Sequence, residues 1–214
     1  VSAPRAVVRV RGEATADSPP DVAVLSVSAA EVSTVSRADA LKRAAAVVAA
    51  LRSALDGAAG VRRVALSRVS VHERSEWDEL AGRSRRAGWE ATVGGWVRAD
   101  AGAAEALAGV VAAAGAGIAG VGWELEDPAV ARRAVRRAAV DAAREAAADL
   151  ADAAGRSLGP LLELADAGLS SGVAAPESTV LMARGAADGG PELHLDPRDV
   201  TVSAVVEATY VLEN

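Results

Sequence analysis

The chain has 214 residues, of which 51% are apolar, and a formal net charge of −6, enough apolar material for one large domain or two small lobes. It contains no cysteine, which excludes a disulfide, a thiolate nucleophile and a cysteine-ligated metal. Its acidity, with a pI near 5.1, argues against a nucleic-acid partner, because binding phosphates requires cationic neutralisation.

The apolar filling is unusual. There is no Phe, one Met, one Tyr (Tyr210) and four Trp, so Ala, Val and Leu must supply the packing. Small side chains let elements approach closely and bury little area each, which predicts a thin, layered core. Lys42 is the only lysine, while arginine abounds. That bias fits a GC-rich coding genome and is not a sign of phosphate binding.

The opening residues set the architecture. Arg5–Ala16 and Val22–Ser33 alternate apolar and polar residues as half-buried strands do. Ser18-Pro19-Pro20-Asp21 lies between them, and prolines cannot donate ladder hydrogen bonds. The pattern predicts a long β-hairpin. Arg5, Arg9 and Arg11 interrupt any apolar leader, so no signal peptide is read here.

Ser36 then caps a helix, with Asp39 at its third position. Leu41, Ala44, Val48, Leu51 and Leu55 form the expected core-facing stripe, ended by Gly57 and Gly60. Residues 61–73 read as a strand, 73–86 as a charged turn or hairpin tip, and 87–98 as the partner strand. Asp100 is the expected cap of a second helix, closed at Gly115.

Residues 106–123 carry no charge, yet five of them are glycine, so a membrane span is not expected. A short strand is predicted over 120–126. Asp127-Pro128 is a strong helix start, and the third helix runs to about Ala154 and Gly155. Strands follow over 158–166 and 200–212, separated by an aperiodic segment, 168–198, expected to be an exposed loop.

The order is therefore β-β-α-β-β-α-β-α-β-loop-β, an α+β fold with a largely antiparallel sheet backed by helices. The whole is read as a single domain, with lobes of about 1–99 and 100–214 as its subdivision.

Several segments together resemble the SIMPL-domain family, which includes bacterial periplasmic immunogenic proteins and oxidative-stress defence proteins. They are Gly12-Glu13-Ala14, Pro20-Asp21-Val22-Ala23 and Gly88-Trp89-Glu90-Ala91, then the run Gly120–Pro128, Ala138–Arg144, Leu150–Gly155 and the closing Val200–Tyr210. The resemblance spans nearly the whole chain, in the right order. It implies an α+β domain without an agreed enzymatic activity, cofactor or catalytic residues. It further implies a homo-oligomer, an envelope-associated partner and a periplasmic, secreted or envelope location linked to oxidative stress. The absence of a read leader leaves the cytoplasm as the alternative. Around positions 72–89 this chain has tryptophan or charged residues where relatives often have tyrosine.

Residues that could carry chemistry are few. Gly115–Gly120 spells G-x-G-x-x-G, but a dinucleotide site needs a strand before and a helix after. Here the order is reversed, and the residues read as a helix stop and turn. His72 and His194 are the only histidines. His194 with Glu192 and Asp196 defines the alternative function, a small-molecule-binding protein or hydrolase using a loop cleft.

Arg132, Arg133, Arg136 and Arg137 cover one arc of the third helix, in its N-terminal half, against the macrodipole preference. They read either as a solvated face with pairs such as Arg137–Asp141 or as a site for an acidic partner. Trp89 and Trp123 are expected between sheet and helices. Trp77, among charged residues at the hairpin tip, is the expected interface anchor. The leading expectation is a non-enzymatic protein that self-assembles or binds a partner.

Overall fold

The computed structural model describes residues 5–79, 82–166 and 195–214. Seven strands and three α-helices are formed by these residues: β1 (Val7–Ser18), β2 (Val22–Ser33), α1 (Arg37–Leu55), β3 (Val61–Asp78), β4 (Arg83–Asp100), α2 (Ala104–Ala113), β5 (Gly117–Glu124), α3 (Pro128–Ala153), β6 (Ser157–Asp166) and β7 (Val200–Glu213). The class is α+β, with two antiparallel sheets backed by helices. Most of the 168–198 segment lies outside the described residues.

The opening pair of strands is not a hairpin. β1 pairs with β7 along its whole length, from Val7 opposite Val211 to Ser18 opposite Val200. β2 instead lies between β4 and β5 in the other sheet. The prolines explain the difference. Consecutive prolines hold φ fixed and bias Ser18 and Pro19 towards extended backbone, which carries the chain onward where a hairpin would need it to fold back. The chain divides into two compact units at this point, between Pro19 and Pro20, and crosses back between Glu124 and Leu125. The units interleave in sequence, so no single cut separates them.

In the first unit the sheet order is β1-β7-β6, with α3 on one face. Alternation supplies its core: Val8 and Val10 from β1, and Val202, Ala204, Val206, Ala208 and Tyr210 from β7. α3 answers with Val135, Ala139, Ala143, Ala147 and Ala151, one buried residue every fourth position. A strict spacing of four advances about 40° per step around a helix of 3.6 residues per turn. The apolar stripe therefore winds along α3, as packing on a twisted sheet requires. Asp127 accepts a hydrogen bond from the Ala129 amide (2.9 Å) and Pro128 opens the helix, so the predicted start is confirmed. Gly155, at φ +67°, ends it.

The second unit has the order β3-β4-β2-β5, covered on one face by α1 and α2. Ala23, Leu25, Val27 and Ala29 of β2 and Ala91, Val93, Val97 and Ala99 of β4 are the buried alternates. Ser36 caps α1 as expected, its Oγ accepting from the Asp39 amide (3.1 Å). Ala40, Ala44, Leu51 and Leu55 are buried, whereas Leu41 is exposed, so the stripe begins one position earlier than its bulk suggested.

Asp100 does not cap α2 with its side chain. A short 3-10 turn, Ala101–Ala103, comes first, and Asp100 Oδ1 accepts from Arg62 Nε (2.7 Å) instead. β5 starts at Gly117, three residues before the predicted strand, leaving only Gly115 of the glycine cluster at the helix stop.

Candidate functional site

The expected turn over 73–86 is much shorter. β3 and β4 continue as a ladder to Asp78 opposite Arg83, so most of that charged stretch is strand. β2 stops where Ser33 faces Trp89. Beyond that point β3 and β4 form a two-stranded arm with no third strand among the described residues. Charged side chains do not prevent strand formation here because both faces of the arm meet solvent. Residues 72–77 and 82–86 are exposed.

Trp77 sits near the end of this arm opposite Ser84, with 66% of its surface exposed. At the arm's base, Trp89 is half-buried and bracketed by two guanidinium groups, Arg37 at 5.0 Å and Arg86 at 5.7 Å from the ring centre. Arg37 also donates to the Val71 carbonyl (3.4 Å), tying the first turn of α1 to β3. Trp123, by contrast, is 2% exposed and belongs to the core. Trp96 lies on the other face of the sheet, with Arg63 5.6 Å from its ring.

Gly88 makes the junction between arm and sheet possible. Its φ is +149°, and a Cβ there would meet the Ser33 carbonyl oxygen at 2.6 Å. Ser33 is buried and its Oγ donates to Asp39 Oδ2 (2.6 Å), while accepting from the Val35 amide (3.0 Å). Arg43 Nε donates to the same carboxylate oxygen at 2.9 Å. The Ser33 hydrogen bond first, and Arg43 second, hold the Asp39 carboxyl below its ordinary pKa.

The four arginines of α3 differ in exposure. Arg133, Arg136 and Arg137 are exposed, and Arg136 lies 3.5 Å from Asp166 of β6. Arg132 is half-buried, with its Nε shut away from solvent and lacking a hydrogen-bond partner. Arg133, Arg136 and Arg137 stand three and four positions apart and so share an exposed face of the helix.

A second surface was not legible as special in the sequence. β6 is an edge strand, and Leu161, Leu162 and Leu164 are 45–54% exposed along it. The run reads as an ordinary apolar strand, and only the placement of α3 over β1 and β7 shows that its leucines are left open.

His72 is exposed on β3, in register with Glu90. His194 and Glu192 lie outside the described residues, and Asp196 is exposed. Among the described residues no group of three or more His, Asp or Glu is placed to hold a metal ion. A shallow cleft of about 730 Å³ opens where α1 meets β3, lined by Arg52, Asp56, Val61, Arg62 and Arg63 among others. Arg62 is held there by Asp100. No described helix is long and apolar enough to cross a membrane.

No curated protein matches the chain. The family model for SIMPL, a protein of unknown function (DUF541), matches residues 8–210. With nearly its whole length matched, including both sheets and all three helices, the chain belongs to the SIMPL (DUF541) family.

Proposed function

We propose that this chain works without catalysis, by self-assembly or partner binding through its open strand edges, with Trp77 as the principal contact residue. The observation that carries the reading is the β3–β4 arm. An isolated two-stranded ribbon is at best marginally stable in water, and this one ends in a large, two-thirds exposed indole. Unpaired strand edges are ready templates for another strand, and exposed tryptophan is a frequent anchor of interfaces. The exposed leucines of β6 support the same reading at a second edge. Arg133, Arg136 and Arg137, with Arg132 behind them, are proposed as an auxiliary surface for acidic groups. The setting in envelope or oxidative stress follows from the family resemblance alone.

Size-exclusion chromatography with light scattering tests the reading. The expected mass is a multiple of the 21.4 kDa chain, and Trp77→Ala should weaken the assembly while leaving the melting temperature almost unchanged. A strict monomer at all concentrations would overturn self-assembly. An unchanged assembly in Trp77→Ala would remove that residue from the contact.

A further inference from the structure

We infer that the β3–β4 arm joins copies of this chain head to tail, β3 of one arm against β4 of the next. This rests on the self-assembly reading and adds its partner, polarity and chemistry. The observation is a segregation of charge between the two strands. Residues 73–79 hold four acids, Glu73, Glu76, Asp78 and Glu79, against one base, Arg74. Residues 83–86 hold three arginines and no acid.

Within the arm the ladder sets unlike charges opposite each other: Glu76 faces Arg85, and Asp78 faces Arg83. Opposite-charge cross-strand pairs stabilise a sheet and like charges destabilise it. Each strand also has a second, outer edge. β3 is the edge strand of its sheet, and β4 loses its other neighbour beyond Trp89. Both outer edges of the arm are thus open among the described residues, one acidic and one basic.

A two-fold contact would set acid beside acid or arginine beside arginine. Arms lying side by side and pointing the same way avoid this. β3 runs outward and β4 inward, so β3 of one copy meets β4 of the next antiparallel, repeating the pairing already made inside the arm. Trp77 shares a ribbon face with Ser84 opposite it, which brings Arg86 of the next copy to the diagonal position. Arg86 already sets its guanidinium against the Trp89 ring within the chain. Such a contact is heterologous, since two different edges meet, and it either closes into a ring or continues as a chain.

Charge exchange tests the polarity. One variant carries Arg83→Glu, Arg85→Glu and Arg86→Glu, making both edges acidic. A second carries Glu73→Arg, Glu76→Arg and Asp78→Arg, making both basic. A third combines all six changes and restores opposite signs within and between arms. By light scattering, the first two should each fall to monomer mass, their equimolar mixture should regain the wild-type assembly, and the third should assemble alone. Circular dichroism melts confirm that the rest of each variant is folded.

Assembly of the first variant alone would overturn the inference, because a β3–β3 contact is untouched in it. An assembled wild type with a monomeric third variant would overturn it too, since that variant keeps every charge pair. A monomeric wild type would overturn the self-assembly reading and this inference with it.

Discussion

Gly12 of β1 lies directly beneath Ala143 of α3, so close that a Cβ on Gly12 would stand 2.6 Å from the Ala143 amide nitrogen and 2.7 Å from its Cβ. The pair explains how a core poor in large side chains reaches native density. Helix and sheet approach until backbone nearly touches backbone, with alanine on one side and hydrogen on the other. Gly12→Ala must push α3 away or bend β1, at a cost of about 1–3 kcal/mol in the way of overpacked cores. Gly109→Ala is the control. Gly109 is exposed inside α2, nothing lies within 4 Å of a Cβ there, and its φ is ordinary. That change should stabilise by about 0.5–1 kcal/mol, because alanine replaces a glycine in a helix interior. Urea unfolding of the two variants should therefore give shifts of opposite sign.

The Asp39 carboxylate gives the fold a defined response to acid. Its pKa is lowered in the folded chain, chiefly by the Ser33 hydroxyl and then by Arg43. A group with a depressed folded pKa contributes stability that is fully present above its unfolded pKa and is lost as pH falls through the folded one. Asp39→Asn should consequently melt below wild type at neutral pH. The difference should narrow once the pH drops below about 4, the ordinary range of an aspartate. Ser33→Ala should move the Asp39 titration upward, as followed by carboxyl NMR shifts. An unmoved titration would show that the hydroxyl does not set the pKa.

What the sequence discloses and what it hides divide along physical lines. Ser36, Asp127 and Pro128 mark helix starts through bonds made within a few residues, and the structure has those bonds. Strand identity is equally local, being carried by alternation. Pairing is not. Val7–Ser18 and Val22–Ser33 look like hairpin partners because only Pro19, Pro20 and Asp21 separate them, yet β1 finds its partner about 190 residues away, with Asp17 Oδ1 accepting from the Thr201 hydroxyl at 2.6 Å. The arm shows a related limit. A run of charge reads as a turn, and only the ladder from Ser75 opposite Arg86 to Asp78 opposite Arg83 makes it strand. Exposure of Leu161 and Leu164 depends on where α3 lies, which no local pattern near β6 contains.

Trp89 joins α1 to the base of the arm, and its two arginine neighbours should not count equally. Arg37 stands nearer the ring, at 5.0 Å, and also reaches the Val71 carbonyl. Arg86 lies farther off, at 5.7 Å, and both arginines are exposed to water, so the difference rests on distance and on the Val71 bond. A guanidinium over an indole at such partly exposed sites is worth about 0.5–1 kcal/mol. A double-mutant cycle of Arg37→Ala with Trp89→Leu should return a coupling in that range. The corresponding cycle with Arg86→Ala should return less. Because the hydrogen bond to Val71 does not involve the ring, Arg37→Ala should still destabilise the chain when Trp89 is leucine. Equal effects of Arg37→Ala and Arg86→Ala in the leucine background would show that the bond from α1 to β3 contributes nothing.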